Sequence, residues 1–445
     1  MNLIMKTIIS LVLVFCIIHL SAAQQKLSVG DAVNIALKKR LSVKRTSLDQ
    51  QIAEQELVSG KRKLLPELRA EATLQYNPTI PTSIIPVGQF NPVTPTSETR
   101  AVQFGQPWSN SAGVVASQVL YDGKLFGEIR EKRIERQLAG LTIASETERI
   151  KYDVAATYYG VVLAQQELNF SVSDTVKTFQ MFRLATNRFQ AQVADISERN
   201  KAELSLITSR NKFVKAQKNL HQQFDKLWYE LGVPSDSLKD AIFNFDDITS
   251  PTAPLRDDVT SFDRNVQYQT TVAEQGLLDQ QLITAKGALK PRISLNGFFG
   301  GNQYSQSFEL FRSGSWFGNS YVNLTLQVPI SNIYTRTSVV KIAAYRQQQN
   351  QIALQELKQQ LSFELQSASS DLEAARKNYK NATLGLRLAE EIYRDAERKV
   401  KEGRALQSDL STAYNDVQEI QLQVLQAMYE IFSAELKIRR TSGLL

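Results

Sequence analysis

Along much of the chain the apolar positions recur at alternating steps of four and three. From Leu361 the series runs through Leu365, Ala368, Leu372, Ala375, Tyr379, Ala382, Leu386, Ala389, Tyr393, Ala396 and Val400. It breaks near Gly403 and resumes as Leu410, Ala413, Val417, Ile420, Val424, Ala427, Ile431, Ala434 and Ile438. Such a seam stays on one side of a helix, so the spacing predicts a long helix, a turn and a returning helix. The returning segment carries a second seam of Leu422, Leu425, Tyr429, Phe432 and Leu436, and therefore faces two neighbours. Helices flanked on both sides build either an ordinary bundle or a closed tube, and the seams admit both. An earlier tract repeats the plan. Ile150, Val154, Thr157, Val161, Ala164 and Leu168 continue towards Phe179 and Phe182. Ala202, Leu206, Ser209, Phe213, Ala216, Leu220, Gln223 and Leu227 form the return. No proline lies between Pro107 and Pro234 or after Pro329, so no pyrrolidine ring interrupts either tract. A helix from about Leu125 to Gln192 is roughly 100 Å long at 1.5 Å per residue.

Other segments alternate at period two. Leu68, Ala70, Ala72, Leu74 and Tyr76 take one face of a strand, and Glu67, Arg69, Glu71, Thr73 and Gln75 take the other. Val322, Leu324, Leu326, Val328 and Ile330 alternate with Asn323, Thr325 and Gln327. Segments beginning at Arg292 and near Gly113 to Tyr121 alternate less cleanly. About ten residues per strand is the length that crosses a membrane in a tilted barrel, although a soluble hairpin on a helix layer alternates in the same way. The predicted connections are long. Residues 77–107 are rich in Pro, Thr and Ser, and residues 301–319 hold Tyr304, Phe308, Phe311, Trp316 and Phe317. Long loops at one end with aromatics near the strand ends favour the membrane reading. Four strands cannot close a barrel, and an open edge in lipid leaves backbone groups unpaired, so membrane-spanning strands here require an oligomer.

The plan occurs twice. Leu57-Val58-Ser59-Gly60-Lys61 followed by Leu64-Leu65-Pro66-Glu67-Leu68 parallels Leu282-Ile283-Thr284-Ala285-Lys286 followed by Leu289-Lys290-Pro291-Arg292-Ile293. Gln118-Val119-Leu120-Tyr121 parallels Gln327-Val328-Pro329-Ile330, Ala202 parallels Ala413, and Gly232 parallels Gly443. The expected division is a first repeat over 24–232, a linker over 233–258 and a second repeat over 259–445.

Composition narrows the chemistry. Residues 1–23 read as a secretory signal: Lys6 precedes a mainly apolar stretch from Ile8 to Leu20, then Ser21-Ala22-Ala23 forms a cleavage site. Its removal takes the only cysteine, Cys16, and leaves His221 as the one histidine, which excludes disulfides, thiol catalysis and Cys/His zinc sites. Walker, GxSxG and HExxH motifs are missing, so no enzyme and no cofactor is expected. The +7 net charge comes from 52 basic and 45 acidic side chains spread along helical patterns, which does not form a nucleic-acid patch.

The ordered set of features resembles the TolC-like outer-membrane efflux proteins. It comprises the opening Leu27-Ser28-Val29-Gly30-Asp31-Ala32-Val33-Asn34-Ile35-Ala36-Leu37, the helix ending in Leu65-Pro66-Glu67-Leu68, the duplicated plan and the closing run to Gly443. Leu41 stands where the family commonly has an Asn-Pro pair. The resemblance implies an α+β, mostly helical fold. Long coiled-coil-like helices would form a trimeric α-barrel in the periplasm, and four strands per protomer would contribute to a shared transmembrane β-barrel. It implies a homotrimeric, passive exit duct in the outer membrane, partnered by a periplasmic adaptor and an inner-membrane pump of a tripartite efflux or type I secretion system. Asp409 falls on the family's gate carboxylate, Thr412 on its second aspartate position and Glu198 on an acidic position of the first hairpin. The family's restraining arginine falls on Ala405, with Arg404 adjacent. The adaptor-docking tips correspond to Gln192 and Val193 in the first hairpin and Gly403 and Arg404 in the second, with Gln192 replacing a glycine. A periplasmic coiled-coil scaffold without a barrel, and an adhesin-like surface trimer, are the competing readings; neither calls for paired amphipathic strands occurring twice.

Overall fold

The structure is a computed structural model that describes residues 26–86, 99–234, 242–243, 261–312, 315–330 and 333–445. The proposed signal over 1–23 and most of the linker over 233–258 lie outside the described residues. The chain forms two compact units, each assembled from both halves of the sequence.

The first unit comprises Met1–Asp49, Ala139–Val272 and Ala353–Leu445. Its chain enters through β1 (Lys26–Leu27) and α1 (Val29–Lys39). Ser28 caps α1: its Oγ accepts the Asp31 N–H at 3.1 Å, while the Asp31 carboxylate accepts the Ser28 N–H at 3.3 Å. The long helices α3 (Gly123–Gln190) and α4 (Ile196–Leu231) form one hairpin, and α6 (Ile333–Lys401) and α7 (Gln407–Thr441) form the other. Ala32 and Ala36 of α1 pack into a core with Ile150, Val154, Tyr158, Val161, Leu227 and Leu231. The small alanines let α1 lie close to the longer helices, and the Tyr158 hydroxyl donates to the Leu27 carbonyl at 2.7 Å. Arg40 and Glu230 close this region as a nearly buried ion pair at 2.5 Å. β6 (Ile242–Phe243) pairs in parallel with β1.

Every member of the seam from Leu361 to Val400, and every member from Leu410 to Ile438, is buried or half-buried. The second seam divides: Phe432 and Leu436 are buried, while Leu422 and Tyr429 are exposed. Phe432 stacks on Tyr159, with ring centroids 4.2 Å apart. The earlier tract departs from expectation beyond Leu168. Phe179 is exposed, and the buried line runs instead through Ser171, Asp174, Thr178, Met181 and Ala185. The spacing of threes and fours continues, but three of its members are polar: Ser171 and Thr178 donate to carbonyls of their own helix, and Asp174 accepts from Tyr414 of α7. Thr178 and Ser209 share a hydroxyl contact at 2.6 Å across the hairpin.

The second unit comprises Gln50–Leu138 and Ala273–Ile352. It holds most of α2 (Leu41–Arg62) and α5 (Val266–Gly287), together with β2 (Glu67–Tyr76), β5 (Trp108–Asp122), β7 (Arg292–Ser305) and β8 (Trp316–Gln327). These four strands form an antiparallel sheet in the order β2-β5-β7-β8. A short hairpin of β3 (Thr82–Pro86) and β4 (Thr99–Gln103) lies within the expected loop over 77–107. The expected loop over 301–319 is shorter, because β7 extends to Ser305 and β8 begins at Trp316. Gly300, Gly301 and Gly318 look like turn signals in sequence, yet they sit in paired strands; a Cβ on Gly300 would approach the Ala112 carbonyl oxygen to 2.3 Å. At Gly300 and Gly301 glycine marks close contact within the sheet, whereas Gly318 faces open space. Gly123 and Gly287 likewise permit a close backbone approach, since a Cβ on Gly123 would lie 2.8 Å from the Gly287 oxygen.

Register assigns the two faces of the sheet. Leu68, Ala72 and Leu74 share a face with Val114, Leu295, Phe299, Val322, Leu324 and Leu326. The other face holds Glu67, Arg69, Glu71, Ser117, Asn296, Asn323 and Thr325. Asn296 ties this polar face together, accepting from Ser117 at 3.0 Å and donating to Thr325 at 3.1 Å. The apolar face is open: Val322 and Phe299 are each 77% exposed.

Candidate functional site

The candidate gate and docking residues lie at the turns of the two helical hairpins, within the first unit. Both turns have the same construction. At the end of α3 the Gln192 N–H donates to the Phe189 carbonyl at 3.0 Å, and the Val193 N–H donates to the Arg188 carbonyl at 3.0 Å. At the end of α6 the Gly403 N–H donates to Val400 at 3.0 Å, and the Arg404 N–H to Lys399 at 2.8 Å. This pair of bonds is the Schellman helix stop, which needs a left-handed residue at its centre. Gly403 supplies it with φ 73°, and Gln192 adopts φ 60° without being glycine. The replacement of glycine by Gln192 therefore preserves the turn and adds backbone strain.

The returning helices start differently. Asp195 caps α4, its Oδ1 accepting the Glu198 N–H at 2.8 Å. Leu406 occupies the corresponding place before α7 and has no side-chain acceptor. Asp409, in the place of Glu198, reaches back instead, its Oδ2 accepting the Leu406 N–H at 3.1 Å. Its charge also lies at the positive end of the α7 dipole. Asp409 and Thr412 are both exposed.

Glu198 has a different partner. It pairs with Arg188 at 3.3 Å, and both side chains are largely withdrawn from solvent. Arg188 also donates to the Val400 carbonyl at 3.3 Å. One guanidinium thus joins the start of α4 to the last turn of α6. Arg404 is exposed and pairs with its neighbour Glu402. Sequence reading looked for an arginine near Arg404 and missed Arg188; the available signal was a cation in the last turn of a helix, ten residues before Glu198. Glu198 and Thr412 line a polar groove of about 600 Å³ between α4 and α7, with Lys201, Lys212, Asn415 and Gln418.

Above the turns, Met181, Val400, Leu410, Ala413, Tyr414 and Val417 form the core that joins the hairpins. Within it the Tyr414 hydroxyl donates to the buried Asp174 carboxylate. Burial raises the Asp174 pKa above the usual carboxylate range, against the lowering effects of the Tyr414 hydrogen bond, Lys177 and Lys212. Burial and Asp174 both push the Tyr414 phenol upward, and burial raises Tyr393 to about 12. The Lys177 ammonium lies 5.6 Å from the Tyr393 ring centroid and 5.8 Å from that of Tyr414. His221 is solvent-exposed beside Asp225, without the enclosure of a catalytic base. Among the described residues no group of three His, Cys, Asp or Glu side chains could hold a metal, and no helix is long and apolar enough to cross a membrane.

The arrangement of a four-stranded sheet and two long helical hairpins has close counterparts among solved structures. The transmembrane channel protein CusC is 17% identical, covers 93% of this chain over 92% of its own, and has a TM-score of 0.78. The chain has the TolC-like fold. VceC, an outer membrane protein of Vibrio cholerae, is 13% identical, with 93% and 96% of the two chains covered and a TM-score of 0.76. The CmeC outer membrane channel of Campylobacter jejuni is 16% identical, with 93% and 85% covered and a TM-score of 0.75. VceC is an outer membrane protein, CmeC is an outer membrane channel, and CusC forms a transmembrane channel. No protein-family model and no curated protein sequence matches this chain.

Proposed function

We propose that this chain is the outer-membrane channel of an export system, a homotrimeric and passive duct. Its sheet lies in the outer membrane and its long helices extend through the periplasm. The observation that carries this reading is the sheet: one face exposes Leu68, Leu74, Phe299, Val322, Leu324 and Leu326, the opposite face gathers Glu67, Arg69, Glu71, Ser117, Asn296, Asn323 and Thr325, and among the described residues β2 and β8 are the two edge strands, each paired on one side only. In lipid those edges would leave backbone groups unsatisfied at several kcal/mol each. Because β2 and β8 run in opposite directions, β8 of one copy can continue the antiparallel sheet onto β2 of the next. Three copies close twelve strands, with the polar faces lining the lumen. The exposed Leu422 and Tyr429 offer a matching helical contact between copies.

Residues 24–232 and 259–445 act as two repeats around the 233–258 linker, and the hairpin turns form the periplasmic end of the duct. Three Asp409 carboxylates brought together there attract cations, with Thr412 one turn further along. The Arg188–Glu198–Val400 bridge supports a closed position of the first hairpin against the second. Gln192, Val193, Gly403 and Arg404 present the tips to a periplasmic adaptor, which couples the duct to an inner-membrane pump. The motor and cargo recognition belong to those partners; nucleic acid has no part in this function.

The test is gel mobility of the detergent-extracted membrane fraction, with and without heating, after crosslinking in the native membrane. A heat-sensitive trimer that requires detergent for extraction is expected. A salt-extractable periplasmic monomer or dimer would refute the duct.

A further inference from the structure

At the end of the sheet remote from the helices, the apolar face contains an unusual pair of amides. Asn110 and Gln303 stand in register between Leu74 and Trp316, and they are only 2% and 0% exposed. The connection after β7 folds over this same face and satisfies them. Asn110 Nδ2 donates to Gln303 Oε1 at 3.0 Å. Gln303 Nε2 donates to the Glu309 carbonyl at 2.6 Å and to Ser315 Oγ at 2.7 Å. Trp316 Nε1 donates to the Leu310 carbonyl at 3.1 Å. An amide facing acyl chains without partners is strongly disfavoured, so this network both fixes the connection and shields the pair.

The fixed connection presents apolar groups outward. Phe308 packs edge-on against Trp108 at 5.0 Å, Trp108 lies 4.8 Å from Tyr76, and Phe311 is 94% exposed. Between the connection and the sheet lies a groove of about 430 Å³, walled by Ala72, Leu74, Ala112, Leu310, Phe311 and Trp316. The two alanines provide its depth. It opens onto the same apolar face as Val322 and Leu324, among aromatic side chains of the kind that settle at a membrane interface.

We infer that this groove holds a lipid acyl chain, and that residues 306–312 form an interfacial foot on the lipid side of the sheet. The inference rests on the proposed membrane placement of the sheet. Its occupant is an acyl chain because the exposed lining is mostly apolar, with Thr73, Asn110, Ser111 and Arg312 as its polar members, the groove continues the exposed apolar face, and Phe311 and Trp316 wall it.

The test uses a fluorescent thiol label in full-length protein reconstituted with phospholipids brominated on their acyl chains. Labels are placed at Phe311→Cys, at Val322→Cys on the apolar face, and at Asn323→Cys on the polar face. Quenching at 311 is expected within twofold of that at 322 and well above that at 323. Filling the groove with Ala72→Phe is expected to reduce quenching at 311 by at least half, leaving 322 unchanged. If 322 is quenched but 311 is not, or if Ala72→Phe has no effect at 311, the acyl site is wrong and the membrane sheet stands. Protection of 311 with disulfide crosslinking between copies through Phe311→Cys assigns the groove to a second copy and overturns the proposal. If 322 is quenched no more than 323, the membrane placement itself fails and takes the inference with it.

Discussion

Tyr414→Phe removes one hydroxyl and leaves Asp174 without its buried donor. The ring and its packing against Tyr393 are retained, since Tyr414 is 1% exposed and its ring centroid lies 5.4 Å from that of Tyr393. A hydrogen bond to a charged group contributes about 1.5–3 kcal/mol, and loss of one partner also leaves the other desolvated. Lys177 and Lys212 still favour the Asp174 anion and offset part of the loss. The expected cost is about 2 kcal/mol, or roughly a 30-fold shift in the local opening equilibrium. Hydrogen exchange of the detergent-solubilised protein reads this shift directly, in the α3 amides around Asp174 and the α7 amides around Tyr414. Exchange there should accelerate about 30-fold, while amides around Ala32 and Leu227 keep their rates. Asp174→Leu combined with Tyr414→Phe should recover most of the protection, because neither variant side chain requires a polar partner. An acceleration below about threefold, or a double variant no better protected than Tyr414→Phe, would falsify the assignment of this bond as a lock between the hairpins.

Three further outcomes follow from the same geometry. Gln192→Gly should stabilise the first turn by about 1 kcal/mol, because glycine enters the left-handed region without the Cβ penalty; slower proteolytic nicking near residue 192 would show it, whereas Gly403→Ala should act in the opposite direction. Asp409→Asn should lower the cation-to-anion permeability ratio in planar bilayers while α7 stays capped, since the amide oxygen still accepts from Leu406; an unchanged ratio counts against a carboxylate ring. The raised Asp174 pKa fixes a sign with pH: the folded form holds its proton more tightly, so this group's contribution falls as pH rises from the unfolded carboxylate value through the higher folded one. Acidification should therefore slow exchange near Tyr414 in wild type relative to Asp174→Asn, after correction for intrinsic rates; the reverse order contradicts the burial assignment.

Periodicity determined which segments are helices and strands, because a helix or strand needs only its own sequence to place residues on one face. The seam from Leu361 to Val400 and the strand from Glu67 to Tyr76 were legible for this reason. Polar members hid the rest of the pattern: Ser171, Asp174 and Thr178 are buried because partners on other helices and local carbonyls satisfy them, and no apolar count can reveal that. Glycine was ambiguous, since Gly403 stops a helix whereas Gly300 makes room within a sheet. The carboxylates at the hairpin turns were legible as residues, but their partners were not. Asp409 binds its own helix start because Leu406 cannot, and Glu198 meets Arg188 because the Schellman stop turns α4 back beside α3. The sequence by itself therefore determined the long helices and the two-sided strand from Glu67 to Tyr76. Only the tertiary structure decided which amides share the apolar face, which arginine bridges the hairpins and which polar groups are buried, because those depend on contacts between residues far apart along the chain.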